Sequence, residues 1–211
     1  MSAASPPVAP RRRTQEERRA DSDRRMLRAA IRLLARHGVG GASLQRIGTE
    51  AGYSRALPAE RFGSRSRLFE AVVGATEVWF DRRLATRLAG LSGTAALRER
   101  VRAHLDSVRD SSEAAVALYQ LMIAATSGDP ELRPTIAALN RRYAAGLEAH
   151  LAEAVAAGEV PPGAAAAEVA RRLVAGMHGC AVTALAEGRP ENLAADADRL
   201  VDAALAELRA A

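Results

Sequence analysis

With 211 residues, 48% of them hydrophobic and 26% charged, the chain suits one good-sized globular domain, or a small one joined to a larger. Its longest nearly apolar run, residues 173–186, includes His178 and falls short of the about 20 residues of a membrane span, and its one cysteine, Cys180, excludes an intrachain disulfide and an all-cysteine metal cage. The net charge of +5 divides into +9 over residues 1–67 and −4 over 68–211, all of its basic residues being arginine; a basic head on an acidic body marks either a polyanion-binding end or a solvated basic tail.

Residues 1–20 read as a disordered, Arg-rich tail. Pro6, Pro7 and Pro10 cannot hold a helix, and Arg11, Arg12 and Arg13 repel one another. Residues 21–36 form the first predicted helix, with Leu27, Ala30, Ile31 and Leu34 on one face. Gly38, Gly40 and Gly41 end it. Ser43 caps a short helix over 44–51, which stops at Gly52. A third short helix starts near Ser54 and ends around Phe62 and Gly63. Ser64 caps a fourth, running to about Leu88. Further helices follow at about 94–109, 112–126, 130–157, 164–187 and 191–209. Pro130 starts one of these, and Pro134 should kink or delay it. No segment alternates with period two, so no strand is predicted. The fold expected is all-α: a three-helix head over 21–67 and a bundle of about six helices over 68–211.

The last two predicted helices differ. Residues 191–209 carry Leu193, Ala197, Leu200, Val201, Ala204, Leu205 and Leu208 on one stripe. Residues 169–186 are apolar almost all round, with small residues four apart: Ala175, Gly179 and Thr183, then Gly176, Cys180 and Ala184. Such rows let helices approach closely. They fit a covered core helix or one helix of a two-chain, four-helix interface.

Short helix, glycine turn, short helix is the helix-turn-helix pattern. Here it runs from Ser43 to Arg55. Leu44, Ile47 and Ala51 face inward. Gly48 lets the second helix cross closely, and Gly52 can take a positive φ. Tyr53 turns into the core. Ser54 caps the next helix and leaves its free N–H groups toward phosphate. The pair sits inside the basic segment, which favours DNA binding over a plain helical corner.

The chain here resembles the TetR family of transcriptional regulators, most strongly from Arg25 to Val73. The matching residues are Arg28-Ala29-Ala30, Leu33-Leu34 and Gly38, then Ser43 to Ile47, Ala51 to Arg55, Phe62 to Arg65, and Leu68. Beyond residue 90 only helix number, length and order agree. The resemblance implies a homodimer on double-stranded DNA, bound at a near-palindromic operator. It implies an effector-binding body, dimerising through the last two helices. Repression released by a small molecule is the implied default. The dimer contacts would be Ala175, Gly176, Gly179, Cys180, Thr183, Leu200, Val201, Ala204, Leu205 and Leu208.

By position, the recognition helix corresponds to Ser54 through Arg61, and the family's phosphate-binding lysine corresponds to Arg65. Ser43 or Leu44 would meet a phosphate through backbone N–H. The sequence departs from the family where specificity is set. Leu57-Pro58-Ala59-Glu60-Arg61-Phe62 stands in place of Thr-Leu-Tyr-x-His-Phe. Base reading then falls to Arg55 and Arg61, since Arg to guanine is the commonest specific contact. Ala56, Leu57 and Ala59 remain for thymine methyls, and Glu60 as a surface salt-bridge partner. Pro58 either starts the helix late or tightens it.

Trp79, His104, Tyr119, Met122, Tyr143, Met177 and His178 are the candidate pocket residues, each also readable as core. Cys180 reads as a redox sensor or, more simply, a buried thiol. Enzyme readings find little. The four histidines fall on different helices or helix ends, no metal or zinc spacing occurs, and no phosphate loop follows a strand. No cofactor is expected. A helical DNA-binding protein without an effector fits the motif equally well. With no apolar core after Met1 to act as a secretory signal, a cytoplasmic protein is expected.

Overall fold

The computed structural model describes residues 14–162 and 165–210, and Thr14 caps its first helix. The Thr14 hydroxyl accepts from the Glu17 N–H while the Glu17 carboxylate accepts from the Thr14 N–H, a closed capping box. Helix α1 therefore spans Gln15–Gly41, six residues longer at its start than expected. The reading of a disordered tail is corrected for residues 14–20. Charge counting overlooked the local support: the cap, and Asp21 paired with Arg24 and Arg25 at i+3 and i+4. Residues 1–13, with Arg11, Arg12 and Arg13, lie outside the described residues. Near its end α1 breaks at Gly38, where φ is +63°.

The other helices are α2 (Leu44–Glu50), α3 (Leu57–Phe62), α4 (Arg65–Arg87), α5 (Gly93–Asp110), α6 (Ser112–Ser127), α7 (Arg133–Ala156), α8 (Ala166–Glu187) and α9 (Leu193–Ala210). No strand occurs among the described residues, and the all-α expectation holds. Short 3₁₀ turns at Pro130–Leu132 and Pro190–Asn192 precede α7 and α9. Pro134 delays α7 to Arg133, as a proline in the first turn should. No helix is long and apolar enough to cross a membrane among the described residues.

Helices α1 to α3 and the first turns of α4 make the head. Met26, Ala29, Ala30, Leu33 and Leu34 of α1 are buried, in one core with Ile47, Leu68 and Phe69. Helix α1 also leans along α6, which joins head to body. Helix α5 is the axis of the body and touches α4, α6, α7, α8 and α9. Its register against α9 is fixed by ion pairs. Arg102 donates to both carboxylate oxygens of Asp198 at 2.9 Å, and Arg98 pairs with Asp198 and Asp202.

Candidate functional site

Ser43 accepts from the Arg46 N–H at 3.3 Å and starts α2 as expected. Ile47 is fully buried, with Leu44 and Ala51 packed against the same core. Gly52 turns the chain with φ +80°, and its N–H donates to the Thr49 carbonyl at 3.0 Å. Tyr53 follows, half-buried against the core. Helix α3 crosses α2 at Gly48. A Cβ there would stand 2.4 Å from the Ser54 carbonyl oxygen and 3.1 Å from Pro58 Cδ. Only glycine permits that approach.

Pro58 is buried and is the group that α3 sets against Gly48. Its missing N–H shapes the start of the helix. The Ser54 carbonyl and hydroxyl both accept from Leu57 instead, at 3.3 and 3.2 Å. The reading of Ser54 as the cap is corrected: Ala56 is the N-cap and makes no side-chain capping bond, and the helix begins at Leu57 rather than near Ser54. Pro58 thus delays α3 and faces away from its outer surface.

Arg55, Ala56, Ala59 and Glu60 are exposed, whereas Leu57 is half-buried against the core. Arg61 is engaged elsewhere. Its Nε and Nη2 donate to the two carboxylate oxygens of Asp23 at 2.9 and 2.5 Å. The bonds to Asp23 raise its pKa above the ordinary arginine value. This bidentate pair fastens α3 to α1. The assignment of Arg61 to base reading is corrected accordingly: it is a strut of the head. Asp23 lies 38 residues earlier, so no local pattern announces the pair.

Arg55 opens onto a groove of about 540 Å³ shared with Gln45, Arg46, Thr49 and Glu50. Arg46 donates to the Gly41 carbonyl at 2.8 Å, and Glu50 accepts from Arg32 at 2.9 Å. Arg55 has no hydrogen bond or ion pair among the described residues. It is the uncommitted cation of this groove. Gln45 and Thr49 were overlooked in the sequence, although their i, i+4 spacing on the outer face of α2 was legible.

Ser64 caps α4 by accepting from the Arg67 N–H at 3.1 Å. Arg65 begins that helix, half-buried, with its guanidinium 5.7 Å from the Phe69 ring centre. Asp129, buried between α6 and α7, reaches Arg65 at 3.8 Å and lies 3.4 Å from Ser66 Oγ. The body therefore touches the head at the residue matching the family's phosphate clamp.

Inside the body, Trp79, His104, Tyr119 and Tyr143 share one chamber with Phe80. The His104 ring lies 5.3 Å from Tyr143 and 5.9 Å from Phe80. His178 closes against His104 and Tyr119, each at 5.9 Å. His104 is 4% exposed, and neither ring nitrogen has a partner. Burial, with the nearby His178 and Arg100, lowers its pKa to about 3; burial also lowers that of His178. Both imidazoles are neutral at pH 7. Burial pushes the Tyr119 and Tyr143 phenols up. Met177 is in the core, and Met122 packs at its edge. Neither lines the chamber. Phe80, Ser107 and Ser111 line it and were overlooked in the sequence.

The small-residue rows of α8 divide. Gly176 faces inward, where a Cβ would stand 2.7 Å from Leu200 Cδ2. Ala184 is buried, and Cys180 is half-buried. Ala175, Gly179, Val182 and Thr183 are exposed. On α9, Val201, Ala204, Leu205 and Leu208 are buried inside the protomer. Their assignment to a dimer contact is corrected: α9 spends that stripe on α5 and α8. Burial, the largest influence, raises the Cys180 thiol pKa. That disfavours the reactive thiolate.

No curated protein matches the sequence significantly. The fold is similar to that of FadR from Bacillus subtilis, a transcriptional regulator in complex with stearoyl-CoA (TM-score 0.78, 15% identity, covering 87% of this chain and 98% of that one). It is similar to a TetR transcription regulator from Haloarcula marismortui (0.78, 18%, 90% and 98%). A transcriptional regulator from Rhodococcus sp. is also similar (0.74, 22%, 88% and 96%). Residues 26–72 match the family described as bacterial regulatory proteins, tetR family. Residues 101–208, about half of the chain, match the tetracyclin repressor-like C-terminal domain. With both halves matched, and a helix-turn-helix set on the body by α1 and α4, the chain belongs to the TetR family and is a DNA-binding transcriptional regulator.

Proposed function

We propose that the protein is a homodimeric repressor, released from a near-palindromic operator by a small-molecule effector held in its body. The observation that carries the DNA half is the exposed α2–α3 face with Arg55 uncommitted. Arg55 reads a base edge, with Ala56, Ala59 and Glu60 beside it. Arg65 and the first N–H groups of α2, at Ser43 and Leu44, hold phosphates. Arg55→Ala is expected to relax base preference at one position per half-site, costing about 1–3 kcal/mol on the best sequence. Arg65→Ala is expected to weaken all sequences alike and to lower the salt slope by about 1. Anisotropy titrations on matched and mismatched duplexes separate the two. Equal losses on every duplex from Arg55→Ala contradict its role in readout.

Dimerisation is proposed through the outward faces of α8 and α9. Ala175, Gly179, Val182 and Thr183 leave a strip of small and apolar residues bare along α8. Beside it runs a groove of about 600 Å³ between the two helices, lined in part by Cys180, Arg199 and Leu200. A partner's α8 and α9 would fill that groove and complete a four-helix interface. Two recognition helices then stand about 34–36 Å apart, one turn of DNA. Nothing lies within 4 Å of a Cβ built at Gly179 in the protomer. Gly179→Phe is thus expected to keep the protomer folded, convert dimer to monomer, and lower operator affinity about 100-fold. Sedimentation with a melting curve checks this. An intact Gly179→Phe dimer would place the interface elsewhere.

The effector half is supported by the body's match to tetracyclin repressor-like domains and by the stearoyl-CoA complex of the structurally similar FadR. The lever is α4, which carries Arg65 at one end and Thr76, Trp79 and Phe80 of the chamber wall further along. An effector that moves α4 would change the spacing of the two heads. By linkage, operator DNA then lowers effector affinity by the same factor.

A further inference from the structure

We infer that the effector is an uncharged, ring-sized apolar molecule carrying a single hydroxyl or carbonyl group that hydrogen-bonds to His104. This rests on the reading of the body as the effector-binding half. The chain has only seven aromatic residues. Three of them, Tyr53, Phe62 and Phe69, are in the head. The other four, Trp79, Phe80, Tyr119 and Tyr143, all line one chamber between α4, α5, α6 and α7. A body that needed rings only for packing would have no reason to gather every one of them.

His104 stands among these rings with both nitrogens unpartnered at 4% exposure. Phenylalanine or leucine would pack there without an unmade hydrogen bond. A neutral imidazole offers one donor and one acceptor. A hydroxyl can serve either, and a carbonyl the donor. The chamber has no charged side chain in its wall; its other polar groups are the Trp79 indole N–H and hydroxyls, of which Thr76 and Ser107 already donate to the Val72 and His104 carbonyls. A carboxylate or ammonium entering it would lose its water and find no opposite charge in the wall itself. Arg100, one turn before His104, does not change this. It lies over Gly146 and lines an adjoining cavity, which shares Phe80 and Tyr143 with the chamber, together with Glu77, Asp81 and Arg142. The two acids and two bases there balance, and Arg142 already grips Glu77 through two hydrogen bonds.

The chamber holds about 30 Å³, room for a water and little more. A ring-sized guest must therefore part α4 or α6 from α5 and α7. Trp79, the only tryptophan, is on the moving wall and reports the event.

The test compares three probes of one shape: 4-propylphenol, 4-propylbenzoate and propylbenzene. Kd is measured by calorimetry on the full chain, with Trp79 emission as a second readout. The phenol is expected to bind about tenfold tighter than either of the others and to shift Trp79 emission. His104→Phe, checked by its melting curve, is expected to bring the phenol down to the hydrocarbon. The ranking on the unaltered protein stands even if that variant does not fold. Benzoate binding as tightly as phenol overturns the proposal, as does a folded His104→Phe that keeps the phenol preference. If no probe binds, the chamber is a water site and the proposal falls. The effector reading fails separately: the predicted ranking, with operator affinity unchanged at saturating 4-propylphenol, leaves a ligand site without an effector role.

Discussion

Gly48→Ala is expected to destabilise the protein by about 1–2 kcal/mol and to weaken operator binding by at least about tenfold. In an open helix the same change would be favourable, by up to about 1 kcal/mol, because alanine has the higher helix propensity. The surroundings of Gly48 reverse that sign. The added methyl would lie 2.4 Å from the Ser54 carbonyl oxygen, which is backbone and cannot rotate aside. It would also press on Pro58 at 3.1 Å. Helix α3 has to lift, and Arg55 lifts with it. Gly74→Ala is the control. It sits in α4 with nothing within 4 Å of the new Cβ, so a gain of about 0.5–1 kcal/mol is expected. Urea unfolding of both variants, with a binding titration, measures the pair. A stabilised Gly48→Ala with full operator affinity would contradict the crossing described above.

Acid should unfold this protein earlier than its carboxylates alone would dictate. The ordinary histidine pKa is near 6.5, and burial lowers that of His104 to about 3. The unfolded chain therefore takes up this proton at a higher pH than the folded one. The stability tied to the neutral ring is complete above pH 6.5 and is lost as pH falls toward 3. One pKa unit corresponds to about 1.4 kcal/mol, so the loss by pH 5 is about 2 kcal/mol. His178, also lowered by burial, acts in the same direction. The Arg-paired carboxylates Asp110 and Asp198, whose pKa values their partners depress, are lost only below about pH 4. The two effects separate on the pH axis. His104→Phe is expected to flatten the curve between pH 7.5 and 5. At neutral pH it should also add about 1 kcal/mol, by removing two unmade hydrogen bonds. Denaturation curves for both proteins across that range decide it. Parallel losses would show that His104 is not the titrating group. A stabilising His104→Phe that has lost its ligand preference is the pattern of a group kept for binding at a cost in stability.

Local chemistry made most of the head legible in advance. Ser43 and Ser64 cap where their spacing indicates, Gly52 turns with positive φ, and Gly48 is the crossing point. Each of these is decided within a few residues. Arg61 was not legible, because its partner Asp23 comes from another helix. Alone in the sequence, Arg61 and Arg55 look alike. Pro58 was ambiguous for a related reason. Its missing N–H is a sequence fact, but its burial against Gly48 is a tertiary one. In the body, periodicity located the stripe of α9 without saying whether a partner chain or α5 covers it. Ion pairs from Arg98 and Arg102 to Asp198 hold α9 on α5. The chamber was legible in four of its rings, since aromatic residues are scarce here. Phe80 and the lining serines, Ser107 and Ser111, belong to helix phases that only packing fixes.

Selection of bound sites from random duplex DNA, followed by a salt titration on the best sequence, tests specific operator binding. A short near-palindrome is expected, with half-sites about one helical turn apart, bound by two protomers. Its affinity is expected to fall steeply with salt, with a slope set by the phosphates contacted. Failure of any sequence to outcompete bulk DNA would contradict specific operator binding, and would leave the basic head a nonspecific polyanion-binding surface.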